Sequence, residues 1–318
     1  MIDFRYHIVS IVAIFLALAT GVALGAGPLK GPVDNGLAAQ AQRDRQDKAD
    51  LRGQLALLEE TNDFESAFAA EIAPNLVADR LAGRGIVLIA LPDADDGVAT
   101  DVRAMLVEAG ASVSPLVRLG EDLLDPTKRQ MVDQLSSQVL PALPELRIAP
   151  DAATYDRAGA ILARGLVATA DAGAPLDESA REVLSVFRAA KLAVPDADLT
   201  RRDSLALILT GPRAGTDATT VAQDTIVVAL AAALDGRCDG VVVAGPPPAA
   251  QEGGMVAAVR DDAATAAVVS TVDVITTPSG QISAVYALAQ QAEGDSGQYG
   301  AIGNTDGALA RLDGRSGP

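Results

Sequence analysis

From Tyr6 to Leu29 the chain carries no Asp, Glu, Lys or Arg, and the run IVSIVAIFLALATGVALGAG is almost wholly aliphatic. A helix needs about 20 apolar residues to cross roughly 30 Å of hydrocarbon, and the stretch between Arg5 and Lys30 supplies them. The expectation is an uncleaved membrane anchor over residues 1–30. A cleaved signal peptide is the competing reading, but its apolar stretch is usually about 7–15 residues. Cleavage would fall near Ala23–Ala26, and a buried core helix is the third alternative. Arg5 and the terminal amine on the short side face Lys30 on the other, a small charge difference. The short flank has no room for a folded domain, which predicts the N-terminus in the cytoplasm and everything after Lys30 outside it. Within the span, Ala13, Ala17, Gly21 and Gly25 fall on one face, and Gly21 to Gly25 is a GxxxG. Small residues let helix backbones approach closely in lipid, so Ala17, Gly21 and Gly25 are candidate dimerisation residues. Ala and Gly are also common in membrane helices generally, and that reading needs no association.

Gly27-Pro28 and Gly31-Pro32 predict a break after the span, because proline lacks an amide donor and restricts the residue before it. From about Asp34 to Asn75 the sequence reads as polar helix. Leu37, Ala41, Asp44, Lys48, Leu51, Leu55, Leu58 and Asn62 alternate steps of four and three, the a and d positions of a heptad. Asp44 and Lys48 weaken the first half, whereas Leu51, Leu55, Leu58 and Asn62 form the better zipper, with a polar residue where parallel dimers often carry one. A helical coiled-coil stalk is therefore expected over 31–82, on the order of 60 Å long at 1.5 Å per residue. The alternative is a single amphipathic helix docked on its own domain through Phe64, Phe68 and Ile72.

Residues 83–293 read as an α/β globular domain. Gly85–Leu91 is a continuous β-branched run, followed by a helical segment over Val98–Ala109 and a second strand from Gly110. Leu205–Leu209, Gly240–Ala244 and Ala267–Thr271 repeat the signature, with helices around Asp224–Leu234 and Ser279–Gln291. Fully apolar strands spaced by helices predict a mostly parallel, Rossmann-like sheet with helices on both faces. Thr127 to Ala190 reads as helix broken at Pro141, Pro144, Pro150 and Pro175. Residues 294–318 read as a Gly-rich flexible tail.

With 42 acidic against 25 basic residues the net charge is −17, which argues against a phosphate-binding surface and sets nucleic acid aside as a partner. It would also keep the outer domain off an anionic leaflet. The single histidine, His7, sits at the membrane edge, leaving no imidazole for a Ser-His-Asp or Cys-His arrangement. No GxxxxGK[ST] follows a strand, and Leu209–Gly215 is Gly-rich but places proline where backbone donors would be needed. Asp93-Ala-Asp-Asp-Gly97 resembles the start of a calcium loop, yet its twelfth position is Ala104 where a bidentate Glu belongs. It reads instead as a solvated strand-to-helix turn. Without Trp, sugar stacking for paired-carboxylate hydrolysis also lacks its usual platform. The chain is expected to be no enzyme and to hold no cofactor.

The opening MIDFRYHIVSIVAIFLALATGVALGAG, the stalk, Leu106-Val-Glu-Ala-Gly-Ala-Ser-Val113, and Ser270-Thr-Val-Asp-Val-Ile-Thr-Thr-Pro-Ser-Gly-Gln281 with Gly297-Gln-Tyr-Gly300 resemble the mycobacterial copper transport protein B family. The resemblance covers most of the chain. It implies an actinobacterial envelope protein of copper efflux or resistance, for some members an outer-membrane channel, with copper as the transported ion. Members also resemble a cell-division component that works through protein partners, so an envelope scaffold is the second implied role.

Copper(I) favours thiolate and thioether ligands and copper(II) imidazole. The chain offers Cys238, His7 and the scattered Met1, Met105, Met131 and Met255, which makes Cys238 the single weak candidate for a metal ligand. One span with Ser10 and Thr20 as its polar side chains cannot enclose water, so conduction requires a homodimer or higher oligomer, or an envelope partner. Thr276, Thr277, Ser279 and Gln281 cluster where a strand end meets a helix start, the usual place for ligands in open α/β sheets. The plainer reading makes Ser279 the helix N-cap and Pro278 a punctuator.

Overall fold

The computed structural model describes residues 4–25, 30–170 and 172–311, with the backbone alone for 4–5 and 30–39. It falls into two compact units, Met1–Glu65 and Ser66–Pro318. The first holds α1 (Phe4–Gly25) and most of α2 (Lys30–Val77). Residues Tyr6–Gly25 have a mean hydropathy of 2.5 and none of them is buried. Large apolar side chains such as Phe15, Leu16 and Leu24 stand at 67%, 63% and 71% exposure, which suits hydrocarbon and not water. The expected Gly27-Pro28 break lies outside the described residues. Pro32 falls in the first turn of α2, where its missing N–H has no intrahelical acceptor to lose.

The second unit begins with the end of α2. The apolar spacing of Phe64, Phe68 and Ile72 predicts a docked face, but Phe64 and Phe68 are 70% and 55% exposed, and the buried face is Ala69, Ala73 and Val77. Small side chains let the helix backbone approach, and Ala73 and Val77 join Leu81 in the core. The Tyr286 hydroxyl donates to the Leu76 carbonyl at 3.0 Å, and the Arg80 guanidinium lies 5.0 Å from the Tyr286 ring centre.

The chain then runs β1 (Gly85–Ala90), α3 (Asp96–Glu108), β2 (Ser112–Val113), β3 (Val117–Leu119), α4 (Glu121–Leu124), α5 (Arg129–Val139), α6 (Thr154–Leu166), β4 (Ala174–Pro175), α7 (Glu178–Ala189), β5 (Ala193–Pro195), β6 (Arg201–Arg202) and β7 (Leu205–Leu209). It continues through α8 (Ala218–Asp235), β8 (Gly240–Ala244), α9 (Met255–Asp261), α10 (Ala263–Ala266), β9 (Ser270–Val272), α11 (Pro278–Ala292) and β10 (Gln298–Tyr299). The main sheet has the order β10-β9-β8-β7-β1-β3-β5, with β2 also on β1. Every pairing in it is parallel except β3 with β5. A mixed α/β unit with a mostly parallel sheet is what the apolar runs predicted.

β1, β7 and β8 are buried along their whole length, as strands covered on both faces must be. Alternate residues serve two cores. Val87 and Ile89 pack with residues of α5 to α8, while Ile86, Leu88 and Ala90 pack with the end of α2, α3 and α11. α8 is long and apolar enough to pass for a span, but it is the core helix that buries Ile226, Val227, Leu230 and Leu234.

Four elements differ from expectation. The strand placed at Ala267–Thr271 begins at Ser270, because Asp262 accepts the Thr265 amide at 2.8 Å and caps the preceding residues into α10. β3 and β5 are three-residue strands with no periodicity to read. The Gly-rich segment after Gly294, expected as a flexible tail, contributes β10 to the sheet edge and buries Tyr299 and Ala310 at 4% and 3% exposure. Its part beyond Arg311 lies outside the described residues.

What seats β10 is a buried ion pair. Arg260 Nη1 lies 3.0 Å from Asp273 Oδ2, and the same guanidinium donates to Thr271 Oγ1 and to the carbonyls of Tyr299 and Ile302. Asp273, fully buried, accepts the amides of Ala301 and Ile302 at 2.7 and 3.0 Å. Gly300 has φ +136, and a Cβ there would collide with the Asp273 carboxylate.

Asp235, the last residue of α8, is a carboxylate that costs stability. Burial pushes it up to about 6 from 3.8, and its charge sits at the unfavourable end of the helix dipole. The folded state therefore holds the proton more tightly than the unfolded chain. Stability falls as pH rises from about 4 to about 6 and stays lower above. Asp235→Asn is expected to be neutral at pH ~4 and stabilising by about 1–2 kcal/mol at pH ~7.5, after discounting for partial exposure. Urea unfolding at the two pH values checks this, and equal effects at both would contradict it.

Candidate functional site

Cys238 sits in the turn between α8 and β8, 8% exposed. Its thiol lies 3.2 Å from the Leu234 carbonyl and 3.4 Å from that of Gly240, which accept from it. Burial pushes the thiol up to about 12, so at neutral pH it is protonated, whereas a metal ligand must be a thiolate. Met131 and Met255 belong to the same core layer as Cys238, and Met105 lies on the other side of the sheet. Among the described residues, no group of three or more His, Cys, Asp or Glu is placed to hold a metal ion.

The candidate dimerisation residues are all on the first unit's helices. Ala17, Gly21 and Gly25 lie exposed on α1, and among the described residues nothing beyond the helix's own neighbouring backbone comes within 4 Å of a Cβ placed on Gly21 or Gly25. On α2, Leu51, Leu55 and Leu58 are 57%, 57% and 65% exposed, and Asn62 is exposed beside them. Leu57, not part of the heptad seam, is equally bare at 65%.

A concavity of the second unit lies at the carboxyl ends of the strands, where β1 and β7 run side by side but their connections leave in opposite directions across the sheet. This switch point is where open parallel sheets receive ligands. A crevice of about 750 Å³ opens there, lined by the β1–α3 turn, the loop after β7, Pro246 and Thr276. A second cavity of about 490 Å³ shares Pro92 and Asp93 with it. Gly211 brings the two sides together: a Cβ on it would collide with the Asp93 carbonyl.

The Asp93–Gly97 turn is built as a helix start. Asp95 Oδ1 accepts the Val98 amide at 2.9 Å and caps α3. Asp96 pairs with Arg118 at 2.6 Å, and Arg118 with Asp196 at 3.0 Å. Arg213 stands 3.7 Å from Asp93 and 3.5 Å from Asp224, and also bonds Gln223. Asp224 is 7% exposed, and burial, opposed by the Arg213 charge, pushes it up to about 6.

Of the residues clustered after β9, Thr277 and not Ser279 is the N-cap of α11. Its hydroxyl accepts the Gly280 amide at 3.1 Å and donates to Val274 at 2.9 Å, with Pro278 in the first helical position. Ser279 is exposed and Gln281 is buried in α11, so of that cluster only Thr276 lines the crevice. The reading of single segments missed Arg213, Thr210 and Pro246, which strand order alone brings together. Prolines just past three consecutive apolar strands were the available signal.

A family model described as copper transport outer membrane protein, MctB, matches residues 1–310. The copper transporter MctB of Mycobacterium tuberculosis (strain ATCC 25618 / H37Rv) is 31% identical over 317 residues, covering 98% of each chain. The copper transporter MctB of Mycobacterium leprae (strain TN) is 29% identical, covering 94% of this chain and 96% of its own.

Proposed function

Because the chain belongs to the MctB family of copper transport outer membrane proteins, we propose that it is a single-pass, membrane-anchored envelope protein that serves copper efflux or resistance as an assembled accessory or channel subunit. The observation that carries the reading is family membership across residues 1–310 together with the bare apolar helix Tyr6–Gly25. The N-terminus lies in the cytoplasm and the α/β unit, Rossmann-like in its strand order, works outside it. One span cannot enclose a water path, so any conduction belongs to an oligomer. The Ala17/Gly21/Gly25 face supports helix pairing in lipid, and Leu51, Leu55, Leu58 and Asn62 support a parallel coiled coil above it.

The test uses Gly21→Leu, Gly25→Leu and Leu55→Asp together, which keep the span apolar but block close approach and charge the seam. Crosslinked dimer in membranes should fall roughly tenfold, the effect of losing about 1.4 kcal/mol of association free energy. In a strain lacking the native gene, copper tolerance should return with the wild-type sequence and not with this variant. An unchanged dimer fraction, or full tolerance without dimer, would overturn the assembly reading.

A second reading, a non-enzymatic envelope scaffold acting in cell division through protein partners, draws support from the burial and protonation of Cys238. A deletion strain that divides abnormally yet tolerates copper normally would favour it.

A further inference from the structure

The first half of the α2 seam carries a charge pattern that packing of leucines does not explain. With Leu55 and Asn62 at a positions, Asp44 falls at d and Lys48 at a, in line with Leu51, Leu55 and Leu58. Arg45 and Arg52 flank them at e, and Asp47 at g. Asp44, Arg45, Asp47, Lys48 and Arg52 are all exposed on α2. Among the described residues none of the five forms an ion pair within the chain. This holds although Asp44 and Lys48 stand one turn apart, the spacing at which a helix can pair its own charges.

In a parallel coiled coil each knob enters a hole of four residues on the facing helix. A d knob meets the facing a, d and e and the next a, whereas an a knob meets the preceding d and g and the facing a and d. The Asp44 knob therefore meets the partner's Arg45 and the partner's Lys48. The Lys48 knob meets the partner's Asp44 and the partner's Asp47. Asp47 at g also faces the partner's Arg52 at e, the pairing that sets partner choice and orientation. Like charges meet where Asp44 and Lys48 each face their own symmetry mate, and each of those layers is flanked by opposite charge.

We infer that Asp44, Arg45, Asp47, Lys48 and Arg52 form a charged clasp with the same residues of a second copy of this chain, holding the two α2 helices parallel and in register. The inference rests on the assembly reading above and assigns a role to residues that reading leaves unused. Two anchors in one bilayer exclude the antiparallel arrangement. Sliding one helix by a heptad sets Leu51 against the partner's Asp44 and Leu55 against the partner's Lys48, so the charges select register at the expense of apolar contact. Leu51, Leu55 and Leu58 supply the attraction, and the clasp decides which copy is accepted and in what alignment.

The test places Ala41→Cys, at the a position before Asp44, in the full chain in membranes, where oxidation links two copies if their a layers meet. Cys238 is buried and stays out of that readout. Asp44→Lys alone sets Lys against the partner's Arg45 and the partner's Lys48, and Lys48→Asp alone sets Asp against the partner's Asp44 and the partner's Asp47. Each should slow disulfide formation roughly tenfold. Co-expression of the two variants, one lengthened by a tag, should give a mixed dimer that forms within about threefold of the wild-type rate and ahead of either homodimer. Asp50→Lys, the same charge change at a c position outside the seam, should alter the rate by less than about twofold. Wild-type rates in both single variants, a mixed pair no faster than its homodimers, or equal loss with Asp50→Lys would each overturn the clasp. The assembly reading survives those results if Leu55→Asp still abolishes the link, whereas no link in the wild-type background overturns both.

Discussion

Asp273→Ala is expected to cost the second unit about 3–5 kcal/mol, because it strands the Arg260 guanidinium in the core and removes the acceptor for the Ala301 and Ile302 amides. For a unit of this size that is a fall of about 10 °C in Tm. Residues 300–311 should at the same time become more protease-sensitive, since Arg260 and Asp273 hold the carbonyls of Tyr299 and Ile302 and the amides of Ala301 and Ile302 beside the β9–β10 pairing. The exposed pair Arg188–Asp198, with side chains 46% and 91% accessible, provides the contrast. Asp198→Ala should shift stability by less than about 0.5 kcal/mol. Thermal unfolding followed by circular dichroism compares the two. A Tm for Asp273→Ala within about 2 °C of wild type would show that the buried pair does not carry the C-terminal edge.

The same residues explain what could be read from sequence. β1, β7 and β8 were legible because a strand buried on both faces is a continuous apolar run, and α3, α8 and α11 because helical segments follow such runs. Asp273 was visible as a charge inside Ser270–Gln281, but its partner lies in α9 and its role depends on backbone amides of a Gly-rich segment with no hydrophobic periodicity. β10 was missed for that reason. The docked face of α2 was displaced by one position from Phe68 and Ile72 to Ala69 and Ala73, since apolar pattern favours large side chains while close approach favours small ones. The acidic turn at Asp93–Gly97 was legible as a helix cap. That it faces Pro212, Pro246 and Thr276 follows from strand order, which no local pattern encodes.

Copper binding separates the proposed accessory role from a direct ligand role most sharply. Each chain supplies one cysteine, one histidine and four methionines. The cysteine is held as a thiol by its burial between α8 and β8, Met105 is across the sheet from it, and His7 lies on α1. A thiol pushed up to about 12 must lose a proton at a large cost near neutral pH before it can ligate copper(I). The full chain in uncharged detergent, titrated with copper(I) against a competing chelator near pH 7, should take up no stoichiometric metal at submicromolar free copper, and Cys238→Ser should leave the titration unchanged. Submicromolar, stoichiometric binding that Cys238→Ser abolishes would contradict the account and give the chain a metal site of its own.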